Sequence, residues 1–336
     1  MKKIRFKLST EKVSALIFFV FAFLFPMYST LYQVDNFSNF YITVLVSFSI
    51  VLIWGFTGIF SFGQAAFYGM GAYTYAILSR AMGGGNSTFP ALLGSVVTAA
   101  LFAGILGFFI FYGRISNVFT GIITMSVATV CEIFMNQTSG GQWKLLGIPI
   151  GGFNGINKIP SLEVGGISIS QLHFYFFVVG VLLIIYLAMK KVEKSNFGYA
   201  LFGIRENKER SEMFGYDTAK IQTLIFAISG GLAGLAGGLF AGWSGYVVPT
   251  NFSVNSSTIA VIMVAVAGRK NVTGAMIMTV IYAWFTQYLA TTGSEYTQLI
   301  LGVLLIISVL YIPDGIMIGF FNKVDGLFKR KHMNAR

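Results

Sequence analysis

Charge is scarce in this 336-residue chain: 23 basic and 12 acidic residues make up only 10% of it, against roughly 25% in an ordinary soluble domain. With 55% of the residues hydrophobic, a soluble fold is excluded, because a soluble core grows only as fast as its volume. Cysteine is nearly absent. Cys131, the single one, lies in an apolar run, so there is no disulfide framework and the residue reads as a small buried apolar group. The two histidines, His173 and His332, are far apart and lack partners at metal-ligand spacing. No G-x-x-x-x-G-K-[ST] string occurs, so nucleotide is not bound through a phosphate loop. Paired carboxylates on facing apolar runs are missing too. No catalytic residue, metal or cofactor is therefore expected, and the chain does not read as an enzyme. The formal charge of +11 does not point to nucleic acid, because the basic residues sit in short connections and form no long stripe interleaved with aromatics.

What the chain has is apolar length. A helix needs about 20 apolar residues to cross the hydrocarbon core. Candidate spans fall at roughly 13–33, 40–60, 64–81, 89–112, 117–136, 172–190, 220–243, 256–268, 272–292 and 297–320. The 64–81 segment is interrupted by glycine and 256–268 is short. Both are expected to be broken or re-entrant, which a bilayer tolerates only where protein or a cavity covers the backbone. The basic start followed by an apolar run looks like a signal peptide, but no small-x-small cleavage site follows, and a retained first helix is expected. With ten spans, every lysine and arginine except Arg80, Lys144 and Lys158 falls on one side. That asymmetry marks the cytoplasmic side and places both termini there. The fold expected is all-α, one polytopic transmembrane domain over 1–336, with an outer glycine-rich loop at about 137–171 and a cytoplasmic loop at about 190–220.

Few residues inside the spans carry chemistry. Glu132 is the one carboxylate clearly within a span; an intramembrane carboxylate is costly and often functional, although a hydrated or structural role fits it as well. Asp314 follows Pro313 and fits a cap for a new helical turn. Gly230, Gly234, Gly238 and Gly242 recur every four residues, so they form a groove on one helix face against which another helix can pack closely. In the cytoplasmic loop, Glu206 and Arg210 stand at the i,i+4 spacing of a short helix, bracketed by Gly198 and Gly215. Phe197, Tyr199, Leu201, Phe202, Ile204, Met213 and Phe214 are too apolar for a segment left in water, so the loop is expected to dock onto a partner.

Several strings carry a family likeness. SFGQAAFYGMGAYTYAIL (61–78) and GYALFGIRENKERSEMFGYDTAKIQTLIFAISGGLAGLAGGLFA (198–241) resemble the signatures of membrane permeases in the branched-chain amino acid uptake family of ABC importers. GGFNGI (151–156), AVAGRKNVTGA (265–275) and YIPDGI (311–316) follow in order. The resemblance implies an ABC importer permease fold and a chain paired with a second, homologous permease subunit in the lipid bilayer. Two cytoplasmic ABC ATPase subunits would drive it, and an extracytoplasmic solute-binding protein would deliver solute across the bacterial inner membrane. The 198–217 segment would be the coupling segment, with Gly198, Arg205, Glu206, Glu209 and Gly215 as its residues. The broken segments would line the path or its gate, with Gln64, Glu132 and Gly268 as candidates. Ala267 stands where the family commonly has glycine, and Lys270-Asn271 where it often has Gly-Thr. The string Phe214 to Asp217 and the stretch Val264 to Arg269 lean toward relatives that move urea or short amides. A stand-alone channel or secondary carrier is the rival from another class, but one buried glutamate is thin material for ion coupling.

Overall fold

The computed structural model of the chain describes residues 10–83 and 87–291, with four further positions at 302, 303, 317 and 319. The expected span at 297–320, Asp314, His332 and the 311–316 string therefore lie outside the described segments. Within them the chain is helical: α1 (Thr10–Leu24), α2 (Leu31–Ile50), α3 (Gln64–Ala81), α4 (Thr88–Tyr112), α5 (Asn117–Gln137), α6 (Gln171–Glu193), α7 (Asn196–Glu206), α8 (Lys208–Met213), α9 (Thr218–Ser244), α10 (Val254–Ala267) and α11 (Val272–Thr291). Seven of these, some with a short helical extension, are long and apolar enough to cross a membrane. α3 is too polar to count by that measure and α10 is too short. Contrary to expectation neither is broken: the glycines of 64–81 sit within one continuous helix, and the break falls before it, at 58–63.

The first two spans differ from expectation. The polar string VDNFSN (34–39), expected to lie between spans, falls within the first turns of α2. The break comes earlier, at 28–30, because Thr30 and Gln33 form a reciprocal capping box: Gln33 N–H donates to Thr30 Oγ1 at 3.4 Å and Thr30 N–H to Gln33 Oε1 at 3.0 Å. Two otherwise orphan donors are satisfied, and the helix starts there. Asp35, inside this polar turn, accepts from Trp243 Nε1 at 3.0 Å and so joins α2 to the end of α9.

α9 is the centre of the bundle, packed on one side by α4 and on the other by α3. Glycine makes both approaches possible. A methyl group at Gly230 or Gly234 would overlap Ala103 or Ala99 of α4, and one at Gly238 would overlap Ser95. On the other side, a methyl group at Gly237 would run into the Tyr68 carbonyl of α3, while Gly71 of α3 lies against the Gly234 backbone. Gly242 receives the Tyr75 ring. Close backbone approach of this kind replaces the hydrophobic drive that helices lack when lipid surrounds them.

The connection at 138–170 forms no α-helix but adds short strands to the expected turns. β1 (Lys144–Leu145) pairs antiparallel with β2 (Ile148–Pro149), and β4 (Glu163–Val164) with β5 (Ile167–Ser168). β3 (Ile156–Asn157) pairs with β6 (Tyr246–Val247), just past α9. Side chains tie the loop down: Arg80 Nη1 donates to Asn157 O at 3.2 Å, Tyr75 Oη to Pro160 O at 3.1 Å, and the Glu163 N–H to Thr88 Oγ1 at 3.0 Å. Arg80, Lys144 and Lys158 thus share one end of the bundle, remote in sequence from the basic segment at 190–220.

Replacing Gly237 by alanine should lower the unfolding temperature in detergent, at a cost of about 1–3 kcal/mol for overpacking. Gly180 of α6 has open space around it, so Gly180→Ala should be neutral or slightly stabilising. Equal behaviour of the two variants would mean that the α3–α9 contact is not close.

Candidate functional site

The residues expected to form the path and the coupling segment meet at two levels, both built where helices break. The upper level is a buried polar knot. Gln64, the first residue of α3, accepts from Ser49 Oγ at 3.1 Å and donates through Nε2 to Ser229 Oγ of α9 at 3.1 Å. Ser229 Oγ donates in turn to the Ser49 carbonyl at 2.7 Å. Beside it, Ser257 of α10 accepts from the Ala65 N–H at 3.0 Å and donates to the Phe62 carbonyl. Thr124 of α5 accepts from the Phe62 N–H at 3.1 Å. Ser49, Gln64, Ser229, Ser257 and Thr124 are all buried. Of these, Thr124 and Ser257 occupy backbone groups at Phe62 and Ala65, where the chain departs from helix before α3, which is the condition for such a break inside an apolar bundle.

The lower level lies at the end of α2. The helix widens into a π-helical turn at Val51–Gly55, and Gly58 follows in the left-handed region at φ 76°. Arg205 of α7 reaches this turn. Its Nη1 donates to the Gly55 carbonyl at 2.7 Å, its guanidinium lies 5.2 Å from the Phe202 ring centre, and its stem packs against Gly58. A cation over the free carbonyls of a helix C-terminus is favourable both as hydrogen bond and as charge. The other side of Gly55 is equally close: a methyl group there would overlap the Arg269 carbonyl, and the Arg269 guanidinium lies 5.1 Å from the Trp54 ring centre. Arg269 follows Gly268, which ends α10 at φ 102°. One glycine therefore touches α7 on one flank and the α10–α11 turn on the other.

The segment at 196–213, expected to couple, is two helices, not one. Asn207 leaves helical geometry at φ −159° and ψ 105°, and its Oδ1 accepts from the Arg210 N–H at 2.8 Å to start α8. That break prevents the Glu206–Arg210 pair expected from their spacing. Glu206 instead accepts from its neighbour Arg205 at 2.9 Å and is mostly exposed. Gly198 is not a boundary but the third residue of α7. It is buried so closely on the Val192 carbonyl that a methyl group would not fit, and Ser195 Oγ caps its N–H. Gly215 does act as a terminator, at φ 86° beyond α8. Glu209 is exposed in the first turn of α8.

Of the apolar residues in this segment, Leu201 and Ile204 face the bundle and are buried. Tyr199, Met213 and Phe214 face away, with 64%, 85% and 76% of their surface exposed. Glu132 stands apart from both levels, partly buried on α5. His173 lies at the start of α6, where its Nδ1 is 2.6 Å from Ser170 Oγ. Gly55, Gly58, Ser49, Ser229, Ser257 and Arg269 were missed as site residues. The pair of glycines in WGFTG (54–58), on either side of a helix end, was the available signal.

Comparison with known proteins agrees with the geometry. Residues 34–309 match the family described as branched-chain amino acid transport system, permease component. The chain is 25% identical over 332 residues to the high-affinity branched-chain amino acid transport system permease protein LivM of Salmonella typhimurium, covering 91% of this chain and 75% of that one. LivM of Escherichia coli is equally similar over the same shares. A probable branched-chain amino acid transport permease of Methanocaldococcus jannaschii is 23% identical over 249 residues, covering 67% of this chain and 69% of that one. No solved structure gives a significant match.

Arg205→Lys should destabilise the protein by about 1–2 kcal/mol, because a lysine cannot keep the planar hydrogen bond to Gly55 and the stacking on Phe202 together. Glu206→Gln should change stability by less than about 0.5 kcal/mol, since its ion pair is exposed. Thermal unfolding of the two variants in detergent distinguishes them; a larger effect from Glu206 would contradict the clasp.

Proposed function

The chain belongs to the branched-chain amino acid transport system permease family, and from that footing we propose that it is the membrane-spanning subunit of an ATP-driven importer of branched-chain amino acids. The observation that carries this reading is the match over 34–309 together with a coupling segment whose one face is clasped to the bundle and whose other face is exposed and apolar. A transport subunit of this kind does not hydrolyse ATP itself. Two ABC ATPase subunits bind the exposed face of α7 and α8, a second permease of the same family completes the path, and an extracytoplasmic binding protein delivers the solute. The chain sits in the bacterial cytoplasmic membrane with α7 and α8 on the cytoplasmic side, a placement supported by the bias of lysine and arginine toward that end.

Coupling follows from the clasp. When the ATPases close, they move α7, and the Arg205 guanidinium carries that movement to Gly55 and the foot of α2. Gly55 touches the Arg269 carbonyl, so the turn between α10 and α11 feels the same displacement. Gly268 and Gly58, both in backbone geometry that favours glycine, are the flexible points on either side. Gln64 sits above them at the closure of the path. Glu132, partly buried on α5, is available to the partner permease.

The test is uptake by the reconstituted complex. Leucine should accumulate in proteoliposomes only with ATP and the ATPase subunits; uptake by this chain alone without ATP would identify a carrier or channel, and selective uptake of urea would identify the amide branch. In the working complex, Phe214→Asp should weaken co-purification of the ATPase and lower uptake about tenfold, the equivalent of about 1.4 kcal/mol, with the unfolding temperature of the permease unchanged. Unaltered docking would place the ATPase contact elsewhere.

A further inference from the structure

A cavity of about 630 Å³ opens at the end of the bundle opposite α7 and α8, between α3, α4, α5 and the β1–β2 hairpin. Volumes of several hundred Å³ are typical of small-molecule sites. Its wall is chiefly apolar, with Met70 and Leu78 of α3, Met135 of α5 and Ile150 of the loop, and Phe252 closes its inner end. Phe252 is itself buried, seated on Gly69 where no side chain could share the space, and tilted against the Tyr73 ring at 5.5 Å. The threonines in the wall are mutually engaged, Thr74 Oγ1 lying 3.0 Å from Thr98 Oγ1.

Two polar groups in this wall stand out. Tyr73 is almost fully buried, and its hydroxyl has no hydrogen-bond partner among the described residues, a costly condition for a buried hydroxyl. Lys144 is the one charged residue of the lining and makes no ion pair among the described residues. It is flanked by Trp143, whose ring meets that of Phe134 edge-on at 5.8 Å. A ligand complementary to this wall has an aliphatic body for the apolar floor, an anionic group for Lys144, and a polar atom that a small shift brings to Tyr73. A lipid tail would fill the apolar volume and leave the tyrosine hydroxyl unmatched. Urea would leave the apolar wall without a partner.

We propose that this cavity is a binding site on the solute route for an amino acid with a branched aliphatic side chain, its side chain on Met70, Leu78 and Ile150 and its carboxylate toward Lys144. The assignment rests on the importer reading above and adds the place at which this chain itself meets the solute. Phe252 is then the floor of the site, and the solute passes inward only when that ring leaves Gly69.

Photo-leucine, a diazirine analogue of leucine, tests it on the intact complex. Irradiation should attach the label to peptides containing Met70–Leu78 and Phe134–Ile150, and excess leucine but not urea should displace it. Lys144→Gln, an exposed hairpin position, should reduce labelling about tenfold without altering the unfolding temperature, and Met70→Trp should abolish it by filling the floor. Labelling confined to other peptides, or labelling that Lys144→Gln leaves unchanged, overturns the assignment. So does capture of a photoactivatable phospholipid in the cavity that leucine does not compete with. Cross-linking reads binding whether or not uptake occurs, so failure of this site and failure of the importer reading appear in different measurements.

Discussion

A chain that leaves helical geometry inside an apolar bundle must find a partner for every N–H and C=O it exposes, since no water is present to supply one. This constraint decides where the protein can break its helices and which residues stand beside each break. Between α2 and α3 the exposed groups go to Ser61, Thr124 and Ser257, each from a different part of the chain. At the foot of α2 the free Gly55 carbonyl goes to Arg205. Apart from the local cap by Ser61, each break is completed by elements distant in sequence, and so each is a point at which movement of one element is felt by another.

Helix existence was legible in the sequence because apolar length and the bias of basic residues are properties of whole segments. The 64–81 and 117–136 segments were located within a residue or two of α3 and α5 for that reason. The start of α2 was not, because a capping box at Thr30 outweighed the polarity of the string that follows. The segment at 196–213 departed from expectation for the same kind of reason: Asn207 offers its own side chain to the backbone, and this local alternative ended α7 where spacing suggested a continuous helix. The glycine groove of α9 was visible as a period of four, but the second face, where Gly237 meets α3, was not part of that period. The glycine pair of WGFTG marked a helix end, but nothing in the sequence said what would meet it. Gly55 makes two contacts, with Arg205 and with Arg269, that only the fold brings together.

The bundle divides into parts held by different forces. α3, α4 and α9 approach through glycine and alanine, where backbone lies on backbone and sliding would open gaps that nothing fills. α10 also buries Ala260, Val261, Val264 and Ala267 in the core, but its ends are held otherwise. Its start is pinned by the hydroxyl of Ser257, its end by the contact of Arg269 with Gly55, and both ends pass directly into non-helical chain. Hydrogen bonds and a ring–cation contact can be exchanged for others in a way that interlocked backbones cannot.

That difference gives α10 a particular place in the proposed mechanism. Fourteen residues of helix are about 21 Å long at 1.5 Å per residue, a rigid rod between the Arg205 clasp and the cavity. Its lower end follows Gly55, which α7 holds through Arg205. Its upper end is preceded immediately by Ser253 and Phe252, the latter being the floor of the cavity. A displacement of α7 by closing ATPases therefore need not travel through the packed core to reach the solute. It passes along one short helix, with glycine at the lower hinge and the stretch at 245–253, a short strand and a 3-10 turn, as the upper one, and it arrives at Phe252, the buried ring in the wall of the cavity.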